Sequence, residues 1–162
     1  MAMDVGNAAT NRGSSQTGDY TLIILGNPAN ESSYVRHVEI YATGDMTCQV
    51  GAFFLISGSD YGCTYYSGNL VCASGLNTFD APGDFTEFAI ASGEFIGISS
   101  ASLALSYDTS GSGLYHGGDY IPYANVTMLS IGRAYSVYAT SEAAATGASI
   151  PVLMNLQRRF RN

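Results

Sequence analysis

The chain has no lysine and no tryptophan, and only two histidines, three cysteines and four prolines. Each scarcity removes a class of function. All six basic residues are arginine, and three of them, Arg158, Arg159 and Arg161, fall in the last five positions, so residues 1–157 set three arginines against thirteen carboxylates, formally −10. That body lacks the basic footprint of a nucleic-acid binder, and no nucleic-acid partner is expected. His37 and His116 show neither H-x-H nor H-E-x-x-H spacing, so no metal site is expected at either. Apolar residues make up 46% of the chain, but 19 glycines and many Ser and Thr break them up. No run approaches the roughly 18–20 residues of a membrane-spanning helix, so a soluble protein with no membrane partner is expected. The first eighteen residues carry neither a basic leader nor an apolar stretch, which predicts synthesis in a cytoplasm or prior removal of a leader.

Catalytic signatures are equally scarce. The nearest approach to a nucleophile elbow, Gly97-Ile98-Ser99-Ser100-Ala101, has alanine where the last glycine belongs. No tight carboxylate cluster sits on one strand as a glycosidase on a β-sandwich would need, and Glu87 and Glu94 each lie beside a turn. The D-x-D-x-D-G pattern of a calcium loop is missing around Asp108 and Asp119. A non-enzyme without a cofactor is therefore expected.

What the sequence does contain is strand periodicity. Val38, Ile40 and Ala42 alternate with His37, Glu39 and Tyr41, and Cys48, Val50, Ala52, Phe54 and Ile56 can share one face. Further candidate strands cover residues 20–25, 61–66, 70–74, 76–79, 85–90, 94–99, 103–107, 126–130 and 134–140, separated by Gly-rich turns. About 160 residues suffice for one core, a chain of this size hiding roughly 70% of its unfolded surface. The spacing predicts an all-β, jelly-roll-like antiparallel sandwich in a single domain over residues 20–145. Residues 1–19 read as an N-terminal arm or first edge segment, and residues 146–162 as a C-terminal docking tail.

Three features invite a functional reading. Residues 108–123 read as a long Gly-rich loop bearing Asp108, Tyr115, His116, Asp119, Tyr120 and Tyr123. Long loops are enriched for function, and aromatic rings beside carboxylates can stack on sugars and bond their hydroxyls. Equally, the tyrosines can close one end of the sandwich or pack on a neighbouring subunit. Cys63 and Cys72 flank the turn signal Ser67-Gly68-Asn69, and a four-residue hairpin loop there sets them opposite each other, either as a cross-strand disulfide or as two reduced thiols, with Cys48 single. The tail gathers Ile150, Val152, Leu153, Met154, Leu156 and Phe160 beside Arg158, Arg159 and Arg161. An exposed terminus so apolar calls for a cover, and its charge complements the acidic body of another copy. Pro151 favours an extended exit.

A succession of short motifs also resembles a known group. Asp4-Val5-Gly6, Asn27-Pro28-Ala29-Asn30, Val38-Glu39-Ile40-Tyr41-Ala42, Gly93-Glu94-Phe95-Ile96-Gly97-Ile98, residues 108–115 and Gly118-Asp119-Tyr120-Ile121-Pro122 look like an uncharacterised family of β-sandwich domains met in tailed-phage and environmental sequences. The likeness runs to about Thr140 and departs from the pattern at Tyr115, where Trp is usual, and at Glu94-Phe95, where Asp-Tyr is usual. It implies the fold and no catalytic residue. The expected function is that of a structural or decorating subunit of a virion or similar extracellular assembly, a homo-oligomer made in a cytoplasm and released with the particle. The alternative is a carbohydrate-binding module or receptor-binding tip with a glycan as partner.

Overall fold

The run Leu22-Ile23-Ile24 is apolar at consecutive positions because its strand is buried on both faces. Leu22 and Ile24 enter one hydrophobic core and Ile23 a second. The computed structural model describes residues 2–142, which form an all-β, jelly-roll-like antiparallel sandwich in one domain, as the sequence predicts. In chain order the strands are β1 (Asp4–Gly6), β2 (Ser14–Ile24), β3 (Ser33–Val35), β4 (His37–Ala42), β5 (Met46–Ser57), β6 (Asp60–Cys72) and β7 (Gly75–Asp80). The remainder are β8 (Phe88–Ile90), β9 (Phe95–Asp108), β10 (Leu114–Gly117), β11 (Tyr123–Thr127), β12 (Leu129–Ser130), β13 (Ala134–Tyr135) and β14 (Val137–Thr140).

The axis of the fold is the pair β2–β9, matched from Ser14–Tyr107 to Ile24–Ile96. On its far edge β9 changes partner. Residues 95–99 pair with β5, whereas Leu105 meets Ala42 of β4 and residues 107–108 meet β13. Opposite Asp19 of β2, the two residues Ala101 and Ser102 of β9 form a bulge, the device by which a strand passes from one sheet to another. This bulge merges the candidate strands 94–99 and 103–107 into one. The first layer is β6–β5–β9–β2–β10, the second β7–β4–β14–β1, and β3–β8 make a separate two-stranded sheet. Between the layers lies the main core, with Val38, Ile40 and Ala42 facing Leu22, Val50, Ile98 and Leu105, all fully buried.

The second core lies on the other face of the first layer, where the strands close on themselves. β10 pairs with β2 and β12, β11 pairs with β6, and only Met128 separates β11 from β12. The result is a ring of six antiparallel strands, β2–β9–β5–β6–β11/β12–β10, which abolishes a sheet edge. Ile23, Phe53, Tyr61, Cys63, Ile121, Val126 and Met128 fill it. The face expected for β5 is thus split. Cys48, Val50 and Ala52 stay in the main core, Phe53 in the opposite phase enters the ring, and Ile56 is 44% exposed.

Of the two readings offered for residues 1–19, the described part is not an arm but opens on the edge strand β1. Met3 and Val5 are fully buried, β1 pairs with β14 at the edge of its sheet, and residues 14–19 begin the central strand β2. Nor is Ser67-Gly68-Asn69 a hairpin turn. Gln49 pairs with Asn69 and Gly51 with Tyr66, so Ser67 and Gly68 bulge opposite Val50 inside one continuous β6. Gly68 takes φ +75°, and the backbone N–H of Val50 donates to Ser67 Oγ at 3.1 Å. Cys63 and Cys72 therefore lie nine positions apart on the same strand, on the order of 30 Å at about 3.3 Å per residue, and cannot be bridged. All three cysteines are unbridged, Cys48 as expected, and the Sγ atoms of Cys48 and Cys72 lie 3.9 Å apart, buried and unbonded.

Candidate functional site

Residues 108–123 are not a loop projecting from the sandwich. Leu114–Gly117 form β10, laid against β2 with Leu114 opposite Ile23 and His116 opposite Thr21. Two buried hydroxyls fasten the segment after β10. Thr21 Oγ1 donates to the carbonyl of Gly118 at 2.8 Å and accepts from the N–H of Tyr120 at 2.9 Å, while Ser99 Oγ donates to Asp119 Oδ1 in a short contact. His116, Tyr120 and Tyr123 come together as a row of edge-to-face rings, with centroids 4.8 Å and 4.9 Å apart. His116 Nδ1 lies 2.9 Å from the Thr127 carbonyl, and Tyr123 at the end of the row is 38% exposed.

The other two candidates lie elsewhere. Tyr115 is partly buried and meets Tyr20 edge-on at 6.2 Å. Asp108 ends β9, where Ser110 donates to it through its hydroxyl and its N–H, and Arg12 Nη1 stands 2.8 Å away. Those hydrogen bonds, Ser110 first and then Arg12, hold its carboxyl down at about 2.

Arg12 and Arg133 line a cavity of about 490 Å³ with Asn7, Gly26, Gly111 and Gly113. Both guanidinium groups are engaged in holding the fold. Arg12 also donates to Ser136 Oγ at 2.9 Å and to the Ala8 carbonyl at 3.1 Å. Arg133 bonds Gln16 Oε1 and lies 4.2 Å from the centre of the Tyr107 ring.

His37, the first histidine flagged by the sequence, sits between two carboxylates. Nδ1 is 2.7 Å from Asp80 of β7 and Nε2 is 3.1 Å from Glu39 of its own strand. Burial, the largest single influence, depresses its pKa, but its hydrogen bonds to Asp80 and Glu39 and their charges together raise it above 6.5. A raised folded-state pKa stabilises the fold fully below about 6.5, and the contribution fades as pH climbs through the folded value. The melting temperature is therefore expected to fall by a few degrees from pH 6 to pH 8.5. His37→Gln should remove that slope; an unchanged slope in the variant would assign it to other groups.

Two of the three thiols, Cys48 and Cys63, are held in the protonated form. Burial, aided by Glu94, pushes Cys63 up to about 12. Cys48 is raised by its hydrogen bond to Cys72 and by burial, while the same bond lowers Cys72.

Sequence reasoning missed an edge. β11 covers β6 only at Asp60, Tyr61 and Cys63, and among the described residues no strand pairs with the outer edge of β6 over residues 64–72. Tyr65 and Val71 on this stretch are 55% and 73% exposed, and Leu76 on the edge strand β7 is 56% exposed. Tyr65 also frames a groove of about 350 Å³ with the half-exposed Tyr34, Ser32, Ile90 and Glu94. The signal lay in reading Ser67-Gly68 as a bulge, since a hairpin there would have consumed the edge. The expected assembly residues Ile150, Val152, Leu153, Met154, Leu156, Arg158, Arg159, Phe160 and Arg161 lie outside the described residues. Comparison with protein-family models, curated proteins and solved structures finds no match to the chain.

Proposed function

We propose that this domain is a structural or decorating subunit of a virion or similar extracellular assembly, acting through contacts with copies of itself. One observation carries the reading: exposed apolar side chains, Tyr65, Val71 and Leu76, stand on strands whose outer edges have no partner among the described residues. Unpaired edges are templates for another chain, and apolar residues along them favour a contact surface over a merely solvated one. The apolar, arginine-ended sequence of residues 150–161 supplies a complementary element, given the acidic body. The resemblance to phage-associated sandwiches points the same way.

A second reading, a carbohydrate-binding module or receptor-binding tip, is favoured by the row His116, Tyr120 and Tyr123 with Asp119 beside it. Light scattering on the full chain and on a chain ending at residue 148 separates the two. The assembly reading predicts a multiple of the 17.0 kDa chain mass for the full chain, partial dissociation at high salt and a folded monomer for the short form. A monomeric full chain that binds on a glycan array, with loss of binding in Tyr123→Ala, would replace it with the second reading.

A further inference from the structure

The free edge of β6 is nine residues long, from 64 to 72, and carries backbone N–H and C=O groups that no described strand meets. A carboxylate stands near each end, Asp45 beside Val71 and Cys72 and Glu94 near Tyr65. Near Tyr65 the groove is lined by Glu94, whose Oε2 already accepts from the N–H of Ala91 at 2.8 Å, leaving Oε1 for a cation.

The sequence holds a segment of matching length and pattern. Ile150, Val152, Met154 and Leu156 recur at every second position, the period of a strand with one apolar face. Pro151 falls in the other phase. In a strand laid against an edge, alternate residues turn their N–H and C=O toward the partner and the rest turn them away, so a proline in the outward phase costs no ladder bond. Residues 150, 152, 154 and 156 can then pair, and Arg158, Arg159 and Arg161 come at the end of the strand.

We propose that residues 150–157 of a second copy add as an antiparallel strand to the edge of β6 over residues 64–72. This rests on the assembly reading and names its acceptor surface. The direction argues for a second copy over the chain's own tail. The Arg36 N–H donates to the Thr140 carbonyl at 2.9 Å, and Ser33 and Tyr34, just before Arg36, line the groove with Tyr65. The described chain thus ends, at Glu142, toward the Tyr65 end of the edge. A tail entering there from its own domain would run parallel to β6, with only the seven residues 143–149 as connection. Parallel pairing is the weaker per residue, and every strand pairing among the described residues is antiparallel. A second copy is free to approach antiparallel. Its arginines then arrive at the Tyr65 end, where Glu94 stands.

The test uses the double variant Tyr65→Lys, Val71→Lys in the full chain. Both side chains are more than half exposed, so the fold should be kept, and the new charges repel the arginine-rich strand. Self-association by sedimentation velocity is expected to weaken at least tenfold, with the melting temperature of the dilute monomer within a few degrees of wild type. Mixing this variant, which keeps its tail, with the chain ending at residue 148, which keeps its edge, should restore a mixed complex. If the double variant loses its fold, Val71→Lys alone carries the same comparison. Association of the variant at wild-type strength, or a mixture that stays monomeric, would overturn the proposal while leaving the assembly reading in place. A monomeric wild-type chain whose residues 64–72 lose hydrogen-exchange protection on truncation would assign the strand to its own tail and overturn the second copy. A wild-type chain that is monomeric without such protection would remove the assembly reading itself.

Discussion

Phe53→Ala is expected to lower the unfolding free energy by about 3–5 kcal/mol, the range for emptying an aromatic site in a packed core. Phe53 is fully buried at the centre of the six-stranded ring, and its ring lies over Gly97 of the paired strand β9. A Cβ at Gly97 would stand 2.4 Å and 2.5 Å from two Phe53 ring carbons and 2.8 Å from the Leu22 carbonyl oxygen. Gly97→Ala should therefore cost about 1–3 kcal/mol through overpacking. The two effects share one space, so they should not fully add: with Phe53 already alanine, the Gly97 substitution loses the part of its penalty owed to the ring and keeps the part owed to the Leu22 carbonyl. Urea unfolding of the two single variants and the double variant measures the coupling. Additive losses would mean that the ring does not rest on Gly97.

Arg12→Met should cost about 2–3 kcal/mol. The side chain is 17% exposed, ties residues 8–12 to Ser136 between β13 and β14 and to Asp108 at the end of β9, and braces the segment itself at the Ala8 carbonyl. Hydrogen bonds to charged groups contribute about 1.5–3 kcal/mol each at most, and methionine keeps the apolar stem while leaving Asp108 without its cation. Asp108→Asn should cost less, because Ser110 still holds that side chain and the Ser136 and Ala8 bonds survive. Equal losses in the two variants would show that the Asp108 contact carries the whole effect.

The fold class was legible in the sequence because alternation and glycine turns are local. His37 to Ala42 alternates cleanly since β4 has one face in the core, and the strand was read in place. The errors cluster at bulges. Ser67-Gly68 and Ala101-Ser102 carry the residues of turns, yet each is accommodated inside a long strand because the neighbouring strand supplies a single residue opposite, Val50 or Asp19. A bulge and a turn differ in what lies across the ladder, and that partner is hundreds of atoms away in the chain. For the same reason the approach of Cys48 to Cys72 was hidden. Of the candidate site, the row His116, Tyr120 and Tyr123 was within one short segment and was named together, whereas Asp108 and Tyr115 were drawn off by Arg12, just before β2, and Tyr20 of β2, both far away in the chain. Tyr34 and Tyr65 went unnoticed because nothing local joins β3 to β6.

Hydrogen exchange on the full chain, compared at low and high protein concentration, tests the assembly account most directly. Residues 64–72 have one ladder, to β5, and an outer edge open to water in the isolated domain, so their outward amides should exchange fast when dilute and become protected as copies associate. The central strand β9, paired on both sides, should change little. Association accompanied by unchanged, rapid exchange over residues 64–72 would place the contact elsewhere and contradict the account.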